Sequence, residues 1–334
     1  MSLRETEQQT QRPLHIVITG SSQGVGLAAA QSLIRRGHYV YHACRSQERS
    51  EHAVVAAGGG IALEPCDLSD LDMVKNFAKD LERKVPRLDV LCLNAGMAGL
   101  TSATSPPTLT VQGFEGVIGV NHLGHFLLTQ LLYNKLAADG GGRLVITASS
   151  VHDPSLKAGQ SGGKIATVGD LSGLGVDLRK NPDGPTMIDG TLEYHGGKVY
   201  KDSKLCNILM CRHAAKIFPS SITCVSFNPG FVPTTGLFSS LRKESWWKAQ
   251  ALTLFANIMG FSVPLEVAGE RLVYMATASS LPNGSYFCAP SKSQATRPDE
   301  EGGFAPNPVS EEASNDELAA RLWKRSLQVV NEWM

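Results

Sequence analysis

The stretch "GGKVYKDSKLCN", residues 196–207, places Tyr200 and Lys204 four residues apart. On a helix that spacing puts a phenol and an ammonium on one face. A tyrosine near pKa 10 is a poor acid–base group at neutral pH, and a lysine one turn away lowers it by favouring the phenolate. A serine hydroxyl that holds a substrate oxygen would complete the set, and Ser150 closes the apolar run "GRLVITASS" upstream. Together the three can give or take a proton while a hydride moves. Alone, a Tyr-x-x-x-Lys pair is equally an exposed helix face. The elements that position it decide between the two.

Those elements alternate. Apolar runs at 14–19, 39–45, 60–68, 88–96, 142–150 and 221–230 read as strands. Helical patterns lie between them at 27–37, 70–85, 113–136 and 198–217, and a last helix begins at Asn315 or Asp316. Strand–helix alternation implies βαβ units and a parallel sheet, and continuous apolar strands such as "LDVLCL" imply a sheet covered on both faces. Residues 151–197, rich in Gly, Pro and Asp, form a long insertion. Residues 290–316 read as a surface loop and 1–13 as a flexible N-terminus. No linker divides the chain, so the expectation is one α/β domain, a doubly wound parallel sheet.

The first strand runs into "TGSSQGVG". Here Gly20, Ser22, Gln23, Gly24, Val25 and Gly26 lead into a helix whose first N–H groups can hold a phosphate. The second strand ends at Arg45. A carboxylate there would bind a ribose 2′-hydroxyl, whereas an arginine suits a 2′-phosphate, so NADPH is favoured over NADH. A solvated surface arginine is the plain alternative. Asp67 and Leu68 end the third strand, and Asp67 suits either an adenine edge or a helix cap. Asn94 and Gly96 end the fourth, as cofactor lining or as a turn.

Bulk properties narrow the class. The chain has 334 residues, 42% hydrophobic and 19% charged, with 31 basic and 31 acidic side chains. Such a balance carries no electrostatic footprint for nucleic acid. Seven cysteines without a C-x-x-C pair, several inside apolar runs, point to a reducing compartment. No apolar run approaches the roughly 18 residues of a membrane span. "MSLRETEQQTQRP" lacks the features of a secretory signal. The expectation is a soluble protein of the cytoplasm, or of a plastid after removal of a transit peptide. His122 and His125 lie three apart on a helix without a third ligand in view, so no metal is expected.

At this point the sequence resembles the short-chain dehydrogenase/reductases. The match runs through TGxxxGxG at 19–26, NAG at 94–96, Asn121, Ser150, YxxxK at 200–204 and "NPGFVPT" at 228–234. The resemblance implies a single Rossmann-like domain of about seven strands. It makes Tyr200 the proton donor, and Lys204 both its pKa depressor and a ribose ligand. Ser150 would orient the substrate, Asn121 would position a relay water, and Pro229, Gly230 and Thr234 would meet the nicotinamide end.

A closer resemblance is to the light-dependent protochlorophyllide reductases. It rests on the long segment before the tyrosine with "GDLSGL" and "MIDGTLEYHGGKVYKDSKLCN", on "GFEGVIGVNHLGHFLL", on "TTGLF", and on the tail "VSEEASNDELAARLWKRS". It implies hydride transfer from NADPH to a photoexcited tetrapyrrole double bond, with the tyrosine as proton source. Two departures bear on the pocket. Phe231 stands where that group has a cysteine, and "NAGMA" replaces "NAAVY". The alternative substrate is a bulky apolar ketone or aldehyde, reduced without light. Residues 235–265 correspond to a substrate lid. The run "LRKESWWKAQALTLFANIMGFSV" within it, with Trp246, suits a flat macrocycle, a peripheral membrane contact, the core or a homo-oligomer interface. Phe231, His195 and Trp246 are the expected substrate-pocket residues.

Overall fold

The computed structural model describes residues 12–99, 106–233, 262–289 and 303–334. Thr234, Trp246, most of the expected lid, residues 1–11, residues 100–105 and residues 290–302 of the expected surface loop lie outside them. A single sheet of eight strands organises the chain: β1 (His15–Thr19), β2 (Tyr39–Ala43), β3 (Ile61–Ala62), β4 (Val90–Leu93), β5 (Arg143–Thr147), β6 (Thr223–Phe227), β7 (Tyr286–Cys288) and β8 (Ala305–Pro306). The strand order is β3-β2-β1-β4-β5-β6-β7-β8. All pairs are parallel except β7 with β8. The expected Rossmann-like sheet is present, with a short antiparallel strand added at one edge. Strand order reverses between β1 and β4, and at such a switch point ligands bind outside the carboxyl ends of the strands.

Period-two alternation splits the core across the sheet. Val17, Leu91, Leu93, Leu144 and Ile146 face one side, with the helices α3 (Leu71–Lys84), α5 (His125–Ala137) and α7 (Gly196–Ile217) and the C-terminal helix Asp316–Val330. Ile16, Ile18, Val90, Cys92, Val145 and Phe227 face the other, against α1 (Gly24–Arg35) and α8 (Leu265–Thr277). Both faces are covered, which explains the unbroken apolar runs. All seven cysteines are free thiols, six of them buried. Asn315 is the N-cap of the C-terminal helix, its side-chain oxygen accepting from Leu318 N–H at 2.9 Å.

Four expectations need correction. The third strand is two residues long rather than nine, because the chain bends at Glu64 and turns at Leu68–Ser69 into α3. The helix read at 113–136 is not continuous: α4 (Gly116–Ile118) opens into a π-turn over Gly119–Gly124 before α5 begins. The loop read at 290–316 contains β8 and a short helix, Glu311–Ser314, with Phe304 and Ala313 buried. A helix α2 (Gln47–Ala57) also lies between β2 and β3. At the N-terminus, Arg12 is tied to Asp89 by an ion pair of 2.9 Å.

The insertion 151–197 has little regular structure beyond one turn of helix, α6 (Lys157–Gln160), yet Val168, Leu174, Met187 and Ile188 from it are buried in the main core. Polar residues of α7 clamp it. Lys201 Nζ donates to the carbonyls of Gly159, Ser161 and Lys164 at 2.5–2.8 Å. Lys198 pairs with Asp189 at 2.9 Å and with Asp202 at 2.7 Å, and Asp202 accepts from Thr167 N–H. Burial works against the Lys198 charge, but the two carboxylates outweigh it and hold its pKa above the usual value.

Candidate active site

The glycine turn joins β1 to α1 at the switch point. Gly20 and Gly24 adopt φ of +68° and +57°, a region that favours glycine. A Cβ on Gly26 would lie 2.6 Å from both Asn94 Nδ2 and the Gly20 carbonyl. Asn94 holds the turn to the end of β4, because its Nδ2 donates to the Thr19 carbonyl at 2.9 Å. Thr19 Oγ1 in turn accepts the backbone N–H groups of Asn94 and Ala95, each at 2.9 Å. Gln23 sits at the N-cap of α1 with no side-chain cap bond among the described residues, and the first turn has no acidic residue. The helix N-terminus around Ser22, Gln23 and Val25 is therefore electropositive and fitted to an anion.

Arg45 is exposed just beyond β2, with no ion-pair or hydrogen-bond partner among the described residues. Asp67 forms an Asx turn, Oδ1 accepting from the N–H and hydroxyl of Ser69 at 2.9 and 2.7 Å. Leu68 is buried and its carbonyl lies against Gly124. Asp67 thus has a turn-forming role, and the cap of α3 is Asp70.

Two of the candidate catalytic groups, Asn121 and Lys204, meet beside Gly96. A Cβ there would stand 3.3 Å from Asn121 Oδ1 and 3.7 Å from Lys204 Nζ. Lys204 is buried and donates to the Thr147 carbonyl at 3.1 Å, which also accepts from Asn207 Nδ2 at 3.0 Å. Its Nζ lies 5.5 Å from the centroid of the half-buried Tyr200 ring. Burial pushes the Lys204 pKa down to about 8 and the Tyr200 pKa above its usual value. The lowering of Tyr200 expected from its lysine is therefore outweighed by burial in the folded chain.

The Asn121 side chain is fully engaged. Its Oδ1 accepts Met97 N–H at 2.8 Å, and its Nδ2 donates to the Met97 carbonyl and to Ser203 Oγ at 2.9 and 3.0 Å. Ser150 opens a 3-10 turn, Ser150–His152, directly after β5. Its neighbour Ser149, which the sequence reading passed over, continues the strand in extended geometry and accepts from Val151 N–H.

On the substrate side, Gly230 has φ +96°. The Pro229 carbonyl accepts from the buried Arg271 at 3.0 Å. Phe231 is half-buried and bridges in parallel to Ser262. His195 is the N-cap of α7, its Nδ1 accepting Lys198 N–H at 3.1 Å. That structural task was not foreseen for a pocket residue. Thr19, named only within the TGxxxGxG motif, His125, weighed only as a metal ligand, Ser203 and Asn207 were not expected among the contacts of the site. The last was signalled only by its place one turn after Lys204.

Comparison with known proteins identifies the family. The family model described as short chain dehydrogenase matches residues 14–175. Over 94% of its length the chain is 35% identical to protochlorophyllide reductase A, chloroplastic, of Triticum aestivum, covering 80% of that protein. It is 35% identical to protochlorophyllide reductase of Avena sativa, with 94% of this chain and 99% of that protein covered. A solved structure of an uncharacterized protein from Mycobacterium Paratuberculosis superposes with a TM-score of 0.67 at 26% identity, covering 96% and 95% of the two chains. With the glycine turn, the Asn94 clasp and the Tyr200–Lys204 pair assembled at one switch point, the chain belongs to the short-chain dehydrogenase/reductase family of oxidoreductases.

Proposed function

We propose that this protein is an NADPH-dependent reductase of the protochlorophyllide reductase type, acting with light on a tetrapyrrole double bond. The observation that carries this reading is the extent of the likeness. It spans 94% of the chain at 35% identity, a span that cannot omit the insertion clamped onto the catalytic helix.

The residues present fit NADP(H). The glycine cradle would be filled by any Cβ at Gly26, the α1 N-terminus is electropositive, and the exposed Arg45 suits a 2′-phosphate. When bound, NADPH supplies the hydride. Gly20, Gly24 and Gly26, with Ser22, Gln23 and Val25, would hold the phosphates. Arg45 would select the 2′-phosphate, and Asn94, Gly96, Pro229 and Gly230 would line the nicotinamide side. Tyr200, kept protonated by its burial, is the proton donor to the carbon adjacent to the one that would receive the hydride. Lys204, fixed on the Thr147 carbonyl, places a positive charge that stabilises the phenolate left behind. Phe231 and the lid residues, Trp246 among them, would shape the substrate side.

Protein, NADPH and protochlorophyllide should react under illumination and remain unchanged in darkness, read as an absorbance shift toward chlorophyllide. Absence of any change in light would remove this identity. Tyr200→Phe should abolish turnover and spare NADPH binding, and unchanged turnover would refute the proton-donor role. A second reading is favoured by Phe231, a bulky apolar group where the resembled reductases have a cysteine. It is a light-independent reductase of a bulky apolar ketone or aldehyde, and steady NADPH oxidation in darkness with such a substrate is its signature.

A further inference from the structure

His125 is the first residue of α5, directly after the π-turn, and is 1% exposed. It touches two parts of the site that lie on different elements. Its Nε2 is 2.9 Å from Thr19 Oγ1 at the end of β1, and its Nδ1 is 3.2 Å from the Asn121 backbone carbonyl. Donor counting settles which nitrogen carries the proton. Thr19 Oγ1 already accepts two N–H groups, from Asn94 and Ala95, which fills its lone pairs. Its own proton must then be donated, and the near acceptor is His125 Nε2 at 2.9 Å rather than the Cys92 carbonyl at 3.4 Å. Nε2 is thus unprotonated, and the single ring proton sits on Nδ1, facing the Asn121 carbonyl. The reverse tautomer would aim three donors at Thr19 Oγ1 and set a lone pair against a carbonyl. Burial, with the Lys204 charge nearby, pushes the ring pKa down to about 3, so a second proton does not compete.

The π-turn gives this contact its purpose. The backbone N–H of His125 goes to the His122 carbonyl, so the Asn121 carbonyl receives the ring of residue 125 instead. The Asn121 side chain is meanwhile engaged by Met97 and Ser203, so side chain and carbonyl of this residue are both held in place.

We propose that His125 is a positioning residue of the reductase. As the Nδ1–H tautomer it holds the Asn121 carbonyl at the π-turn and ties it, through Thr19, to the end of the strand that carries the glycine turn. The role in turnover rests on the reductase reading above. The tautomer does not.

Long-range proton–nitrogen NMR spectra of histidine-15N-labelled protein, with the His125 signal identified by its loss in a variant, decide the first point. A neutral ring protonated on Nδ1 supports the proposal, and an Nε2–H ring or a doubly protonated ring near neutral pH overturns it. Two variants test the second. His125→Phe keeps a planar ring, somewhat larger, and removes both contacts, while His125→Asn restores a donor toward the Asn121 carbonyl. His125→Phe should lower kcat by about ten- to a hundredfold, the scale of a small misplacement of catalytic groups. Its NADPH affinity, followed by nucleotide fluorescence, should stay near that of the parent, because Thr19 keeps both N–H contacts and redirects its proton to Cys92. His125→Asn should recover most of kcat. An unchanged kcat in His125→Phe, or equal impairment in both variants at equal thermal stability, overturns the positioning role. A parent protein that fails to bind NADPH would overturn the reductase reading and leave the tautomer result standing.

Discussion

Glu115 invites a test in which pH and one substitution are varied together. Its carboxylate is buried and N-caps α4, accepting the N–H groups of Val117 and Ile118 at 3.0 and 2.8 Å and the Tyr194 hydroxyl at 3.2 Å. Burial outweighs these three donors and pushes its pKa from 4.5 up to about 7. In the unfolded chain the carboxyl loses its proton near 4.5, while the folded chain keeps it until about 7. Between those values the folded state binds more protons, so stability falls as pH rises, and the full loss is present above about 7. The gap corresponds to roughly 3 kcal/mol. Glu115→Gln removes the ionisation and adds a constant penalty of about 1 kcal/mol, because the amide cannot accept from both helix N–H groups.

Urea unfolding of both proteins between pH 5 and 8.5, followed by fluorescence of the four tryptophans, gives the difference in stability. The parent's advantage over Glu115→Gln should shrink by about 2.5 kcal/mol across that range, part of the gap being already lost at pH 5, and above neutrality the variant should be the more stable. Other groups, including the buried His122 and His125, cancel in the difference. A difference that stays flat, or grows with pH, would refute the claim that burial dominates at Glu115.

Three further outcomes follow from the same geometry. Gly26→Ala forces a Cβ against the Gly20 carbonyl and Asn94, and should weaken NADPH binding by about tenfold or more in calorimetric titration, with an overpacking cost of about 1–3 kcal/mol. Arg45→Asp should shift relative affinity away from NADPH and toward NADH in paired affinity measurements, since a carboxylate suits a ribose hydroxyl and repels a phosphate. Lys201→Met strands the carbonyls of Gly159, Ser161 and Lys164, and should make the 157–165 segment the first site of limited proteolysis while lowering stability by about 2–4 kcal/mol.

Local patterns carried much of this in the sequence itself. Strands buried on both faces announce themselves as apolar runs, and the glycine turn follows one of them, so the sheet and the cofactor end were readable. Helix α2 was not, because "QERSEHAVVAA" buries only Ser50, Ala53 and Ala57 and shows no apolar stripe. The π-turn was hidden for a different reason. Apolar spacing in "GVIGVNHLGHFLL" continues through it, and what breaks the α-helical register is a set of polar contacts from Asn121 and His125 to distant elements. "YKDSK" was read for Tyr200 and Lys204, while Lys201, Asp202 and Ser203 passed as ordinary helix polarity. All three are buried, and each is bonded to a segment whose position depends on the whole fold. His195 was assigned to a pocket from its nearness to Tyr200 in sequence, whereas a residue preceding a helix is first of all a candidate cap.

The two borders of the sheet carry a consequence for how copies of this chain can meet. Strand β3 offers two residues, and β8 offers two, one of them Pro306, which has no N–H to donate. Asn307 bends back beside it, its Nδ2 donating to the carbonyls of Cys288 and Ala305 at 2.7 and 2.8 Å. A neighbouring polypeptide finds almost no ladder to extend on either side, which guards a long, strongly apolar sheet against runaway intermolecular pairing. Among the described residues, self-association by sheet continuation is thus disfavoured, which leaves their helix and loop surfaces as the faces open to contact.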